Sequence, residues 1–140
     1  MARKSKKLFY SFESLHENGA FTKISNDMIK SKAWKKLSLR QQGLYLHLKT
    51  KFTKYKNQDT NVDDISIPKS EASTLYGDLK TFRKDIDILI DTGFIRQIKS
   101  GWNTRTENIY GFSDKWKLFG TDNFNIPDTD KRYKPKIITK

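Results

Sequence analysis

Apolar side chains recur at helical spacing in several stretches of this chain, each opened by a capping residue. Met28, Ile29, Ala33, Trp34 and Leu37 share one helical face, and Ser25-Asn26-Asp27 offers capping side chains ahead of them. Ser38-Leu39-Arg40-Gln41 opens the next helix as a capping box: the Ser38 hydroxyl accepts from the backbone three residues on, and Gln41 reaches back. Leu44, Leu48 and Phe52 follow at i, i+4 and i+8 beside Tyr45, which predicts a helix over 39–53. Lys54 to Asp64 is polar and reads as a loop, and Ile65-Ser66-Ile67 as a short strand. Pro68 suits a helix start, where its missing N–H costs nothing. Residues 68–76 then form a short helix with Ala72, Leu75 and Tyr76 inward. After a break at Gly77-Asp78, Leu79, Phe82, Ile86, Leu89 and Ile90 define the next helical stripe, and Gly93 supplies its left-handed stop.

Beyond Gly93 the pattern becomes strand-like. Phe94 to Lys99 and Ile109 to Phe112 flank a polar, turn-rich segment, so residues 94–113 predict a hairpin with a long tip. Trp116, Leu118 and Phe119 are expected to close the core. Phe21-Thr22-Lys23-Ile24 offers a short extra strand near the N-terminus. Helix, tight turn, helix and hairpin, with a capped helix ahead of them, is the order of a winged helix-turn-helix. The expected fold class is therefore α+β, a three-helix core plus a β-hairpin wing, with a short extra N-terminal strand and helix. The expected organisation is a basic N-terminal arm over 1–19, the winged helix-turn-helix domain over 20–120, and a basic extended tail over 121–140. Leu8, Phe9, Tyr10 and Phe12 give the arm apolar side chains with which to dock.

Composition narrows the chemistry. The chain of 140 residues has 28 Lys and Arg against 16 Asp and Glu, a formal charge of +12. It has no Cys, which excludes disulfides, Cys-ligated zinc, iron–sulfur clusters and thiol catalysis. No apolar run approaches the roughly 20 residues of a membrane span, and the basic N-terminus is not followed by a signal-peptide core. A soluble, cytoplasmic protein with nucleic acid as its first partner is the expectation. A membrane partner is not expected, because no segment pairs a basic face with a strong exposed apolar one. The charge is blocked. Residues 23–56 carry ten cations and one acid, whereas residues 57–93 carry four cations and eight acids.

On a winged helix-turn-helix the helix after the turn enters a major groove about 12 Å wide. With its apolar stripe inward, Lys80, Thr81 and Lys84 point outward and Arg83 lies on the flank. The cations suit guanine edges or phosphates, and Thr81 a thymine methyl or a phosphate. Asp87 and Asp91 are expected on the same outer side, where they would repel phosphate and confine contact to the first two turns. Lys99, Trp102, Asn103, Thr104, Arg105 and Thr106 surround the wing tip, with Asn108 behind them. Arg105 suits a narrow minor groove; Trp102 meets sugar or folds back as a lid on the core. Lys69 and Ser70, at a helix start, read equally as a phosphate clamp and as plain capping. Arg3, Lys4, Lys6 and Lys7, with Lys131, Arg132, Lys134 and Lys136 at the other end, would add sequence-independent phosphate contacts.

Catalysis has little to work with. His16 and His47 are the only histidines, and His47 is expected on the solvated side of its helix. Asp85 and Asp87 face different directions. No phosphate loop, nucleophile elbow or metal-binding spacing occurs, so neither an enzyme nor a cofactor nor a metal is expected.

The chain also resembles a known family over roughly residues 20–120. The resemblance rests on Phe21-x-x-Ile24, Trp34-x-x-Leu37-Ser38, Gly43-Leu44-Tyr45, Phe82-x-x-Asp85-Ile86-x-x-Leu89-Ile90-x-x-Gly93-Phe94-Ile95 and Asn108-Ile109-Tyr110-Gly111-Phe112-Ser113-x-x-Trp116. This pattern is similar to that of small winged-helix proteins of Gram-positive mobile elements, including relaxosome accessory proteins of conjugative plasmids and transposons. The N-terminal domains of some plasmid replication initiators are similar too. The resemblance implies double-stranded DNA binding at an origin of transfer, alongside a relaxase or another relaxosome protein. It assigns Lys80, Thr81, Arg83 and Lys84 to the recognition helix and residues 99–108 to the wing. A homodimer would match repeated sites in the DNA. Alternatives are a replication initiator, a transcriptional repressor, and a winged-helix protein–protein adaptor suggested by the acidic 57–93 block and by Leu46 and Ile88 facing outward.

Overall fold

The computed structural model describes residues 22–53, 59–101 and 107–127. Among these residues the protein is α+β, with five α-helices and one three-stranded antiparallel sheet. The predicted first helix is in fact two, α1 (Asn26–Lys30) and α2 (Lys32–Lys36). Ser31 between them is extended, and its hydroxyl serves both: it donates to the Met28 carbonyl at 2.6 Å and accepts from the Trp34 N–H at 3.1 Å. Ser25 caps α1 through the Met28 N–H. The break turns Ile29 to solvent while Met28, Ala33, Trp34 and Leu37 stay buried. Residues 22–25 form no strand, contrary to expectation; Ile24 packs instead on the core edge.

The capping box is present at the start of α3 (Leu39–Thr50), with Ser38 and Gln41 bonded reciprocally. Leu44, Tyr45 and Leu48 are buried along one face. The helix ends before Phe52, which is left exposed, because Asn61 captures the departing chain. Its side chain donates to the Lys51 carbonyl and accepts from the Thr53 N–H, each at 2.7 Å.

Strand β1 (Ile65–Ser66) leads through Pro68 into α4 (Lys69–Tyr76). The inward line of α4 runs through Ala72 and Tyr76, four residues apart, and leaves Leu75 exposed rather than buried. Gly77 ends α4 at φ +69°, and Asp78 caps α5 (Leu79–Asp91), its carboxylate accepting from the Lys80 N–H at 2.9 Å. Strands β2 (Ile95–Lys99) and β3 (Ile109–Phe112) form the hairpin, and β1 joins the far edge of β3, giving the order β1-β3-β2. Tyr110 stands opposite both Ile65 and Gln97, and the β2–β3 register shifts after Gln97.

The helices and hairpin meet on aromatic rings. Phe94, fully buried, lies edge-on to Trp34 at 5.8 Å between centroids and stacks on Trp116 at 5.9 Å. Trp116 sits in a 3-10 turn over Lys115–Leu118, and Leu118 there is exposed instead of closing the core. Gly93 allows this closure. It has φ +92°, its carbonyl accepts from the Trp116 N–H at 3.1 Å, and a Cβ on it would lie 2.6 Å from that nitrogen.

Gly93→Ala should therefore destabilise the protein by about 3 kcal/mol, from the left-handed backbone and the clash together. Gly43→Ala is the control: a Cβ there meets nothing within 4 Å, and the change should stabilise α3 by about 0.5–1 kcal/mol. Urea denaturation of the two variants measures both effects.

Candidate nucleic-acid interface

Helix α5, which bears four of the predicted contacts, is held from behind by a buried carboxylate. Asp85, on the inner side of α5, is 1% exposed and receives hydrogen bonds from three side chains. Arg40 donates through Nε at 2.6 Å and through its terminal nitrogen at 3.1 Å. Gln41 donates at 3.1 Å and the Tyr76 hydroxyl at 2.7 Å. Two donors come from α3 and one from α4, so the carboxylate fixes three helices at one point. Burial acts to raise the Asp85 pKa, but the hydrogen bonds from Arg40, Tyr76 and Gln41 outweigh it and hold the carboxyl below its usual range. Burial and the neighbouring carboxylate push the Tyr76 phenol well up.

A second tie joins α3 to α4. His47 Nε2 lies 2.6 Å from one Glu71 oxygen and Lys51 Nζ 2.9 Å from the other. The solvated His47 expected from its helix face is thus a half-buried packing residue. Burial acts to raise the Glu71 pKa, but the His47 and Lys51 hydrogen bonds lower it overall.

On the outer face of α5, Lys80, Arg83 and Lys84 are exposed together in the first two turns. Thr81 is different: half-buried, it donates its hydroxyl proton to Asp78 at 2.7 Å and completes the helix cap. That bond, with one from the Lys80 backbone, keeps the Asp78 carboxyl ionised below its usual range, so an anion already occupies the N-terminus of α5. Asp87 and Asp91 are half-buried rather than fully outward. Ile88 is packed against the core, while Leu46 is exposed as expected.

Lys69 and Ser70 are exposed at the first turn of α4, where Pro68 provides no side-chain cap. Lys99 is exposed at the end of β2. Asn108 closes the hairpin neck, its side chain accepting from the Gly101 N–H at 2.7 Å and donating to the Tyr110 hydroxyl. Trp102, Asn103, Thr104, Arg105 and Thr106 lie outside the described residues, as do Arg3, Lys4, Lys6 and Lys7.

Sequence reasoning missed the Asp85 centre. The available signal was an acid placed on an apolar stripe, between Phe82 and Ile86, where solvation alone cannot account for it. Among the described residues no three His, Cys, Asp or Glu side chains group as metal ligands, and no helix is long and apolar enough to cross a membrane.

Asp85→Asn should destabilise the protein by about 3 kcal/mol, because the amide N–H₂ must face one of the donors. The pH dependence has a definite sign. A carboxyl with a depressed folded pKa stabilises fully above the ordinary aspartate range, about pH 4, and loses that contribution as pH falls through the folded value. Chemical denaturation between about pH 6 and about pH 2 should show a smaller acid-induced loss in the variant than in the wild type.

No protein-family model, curated protein or solved structure matches the chain.

Proposed function

We propose that the chain is a winged helix-turn-helix protein that binds double-stranded DNA sequence-specifically, as a relaxosome accessory protein at an origin of transfer. It performs no chemistry of its own; its partners are the duplex and a relaxase. The observation that carries the DNA part is the joint exposure of Lys80, Arg83 and Lys84 on the first two turns of α5, with a two-stranded hairpin directly following. The formal charge of +12 supplies long-range attraction. The assignment to transfer rests on the resemblance in sequence pattern.

In this reading α5 lies in the major groove with its first two turns against base edges. The hairpin reaches the neighbouring backbone or minor groove through Lys99 and Arg105. Lys69 and Ser70 approach a phosphate. The exposed Leu46 favours the adaptor as the second reading; it requires partner binding that ignores salt.

Fluorescence anisotropy on duplexes from the parent element's transfer-origin region, against random duplexes, tests the proposal. Cognate DNA should bind more tightly, and affinity should fall about 10³–10⁵-fold between 50 and 200 mM salt if roughly six to ten phosphates are contacted. Lys84→Ala should alter sequence preference if it reads a base, or reduce the salt slope by about 1 if it holds a phosphate. Arg105→Ala should weaken binding without loss of fold. Equal affinity for cognate and random DNA overturns the proposal. Footprints confined to a promoter or to replication repeats would assign the protein to repression or initiation instead.

A further inference from the structure

Behind the hairpin the surface opens into a cleft of about 570 Å³ that takes no lining residue from α4 or α5. That is within the usual size of a small-molecule site, about 300–1,000 Å³. Tyr45 and Lys49, four residues apart on α3, present side chains to it from the same helix face. Lys49 is half-buried, with Nζ 5.3 Å from the ring centroids of both Phe52 and Phe112. Among the described residues no carboxylate pairs with it. Tyr45 is 2% exposed. Lys115 and Lys117 also line the cleft and are exposed, with Lys117 Nζ 5.8 Å from the Trp116 ring. Arg96 also lines the cleft but is engaged by Asp63 at 3.3 Å, and Asp114 is the one acid in the lining.

A cation taken partly out of water without a counter-charge is costly, and cation–π contact offsets only part of that cost. Burial accordingly holds the Lys49 ammonium below the usual lysine range. An anion bound in the cleft would relieve the deficit. The half-buried Phe112 ring adds apolar lining, against which a base or sugar could settle.

We propose that this cleft binds a nucleotide, its phosphate held by Lys49, Lys115 and the Tyr45 hydroxyl and its base or sugar lying against Phe112. The site is separate from the duplex-binding face and goes beyond that reading. The same chemistry is offered by a free mononucleotide and by a nucleotide in an unpaired strand.

The test is an NMR titration of the ¹⁵N-labelled full chain with inorganic phosphate, with dTMP, and with 5′-phosphorylated oligothymidylate. dTMP should shift the amides of Lys115 to Lys117 and the Trp116 indole N–H saturably, and at lower concentration than phosphate does. A strand that binds more tightly than dTMP identifies an unpaired strand as the source; equal affinity identifies the free nucleotide. Lys49→Gln should weaken dTMP binding about tenfold or more, and Tyr45→Phe by less. Lys80→Ala should leave it unchanged. Unaltered shifts outside the cleft report that the Lys49 variant has folded, and Lys115→Gln repeats the test at an exposed lining residue.

Absence of local shifts overturns the proposal, as does dTMP binding undiminished by Lys49→Gln. So does uptake that appears only in an Asp128→Asn/Asp130→Asn variant, which would mean that the acids following Pro127 already satisfy Lys49. No duplex is present in the titration, so this site and the duplex-binding face can fail separately.

Discussion

A single carboxylate sets the relation between the three helices that any DNA-facing surface here must be built on. Asp85 is nearly inaccessible, and an ionised group in that position is tolerated only if its lone pairs are met. They are met by donors from two other helices, Arg40 and Gln41 on α3 and Tyr76 on α4. Apolar packing tolerates small slides of one helix along another; four hydrogen bonds converging on two oxygens do not. Arg40 remains largely in water, so the pair is not a sealed ion pair and its main consequence is register rather than a large gain in stability. The rotation of α5 about its axis is set on the inside, and that rotation decides which cations face out.

The same inner constraint shows what the sequence could and could not convey. Local signals carried well. The Ser38/Gln41 capping box, the break at Gly77, the left-handed Gly93, and the stripe through Phe82, Ile86, Leu89 and Ile90 are short-range features and appear where the pattern places them. Ser31 did not, because one hydroxyl can end a helix and start another without interrupting the apolar spacing around it. Leu75, Leu118 and Phe52 failed for another reason: periodicity names a face, but neighbouring elements decide how wide a buried stripe is. The Asp85 centre was out of reach of local reasoning, since its α3 partners lie 44 and 45 residues away. On the candidate interface, spacing alone gave the outward cations of α5, whereas the diversion of the Thr81 hydroxyl into the Asp78 cap required coordinates.

That cap changes how a phosphate would meet the α4–α5 pair. A helix N-terminus attracts anions through its free N–H groups and its dipole. At α5 the Asp78 carboxylate already accepts from the Lys80 N–H and the Thr81 hydroxyl, so a phosphate there would meet a negative charge. Contact through α5 then has to run along the side chains of Lys80, Arg83 and Lys84. At α4 Pro68 contributes no side-chain acceptor, Lys69 and Ser70 are exposed beside the first turn, and the first-turn acid, Glu71, is engaged by His47 and Lys51. The proposed division of labour, with α4 taking the backbone and α5 the groove, follows from which of two adjacent caps is occupied.

The hairpin is tied to this body by a different kind of contact. Phe94 follows Gly93 at the end of α5 and stacks on Trp116, while Tyr45 of α3 packs against both Phe94 and Phe112. Rings at these separations transmit position through shape, without the directional bonds that hold α5. Gly93 makes the join possible by admitting the Trp116 backbone where any side chain would exclude it. Tyr45 and Phe112 belong both to this aromatic joint and to the cleft, so a ligand seated against them would press on the joint between the helices and the hairpin. The cleft takes no lining residue from α4 or α5, on which the proposed duplex-binding face rests, yet the hairpin strands connect one to the other. A molecule bound at the base of β3 would therefore act on the hairpin strands before it acted on α5.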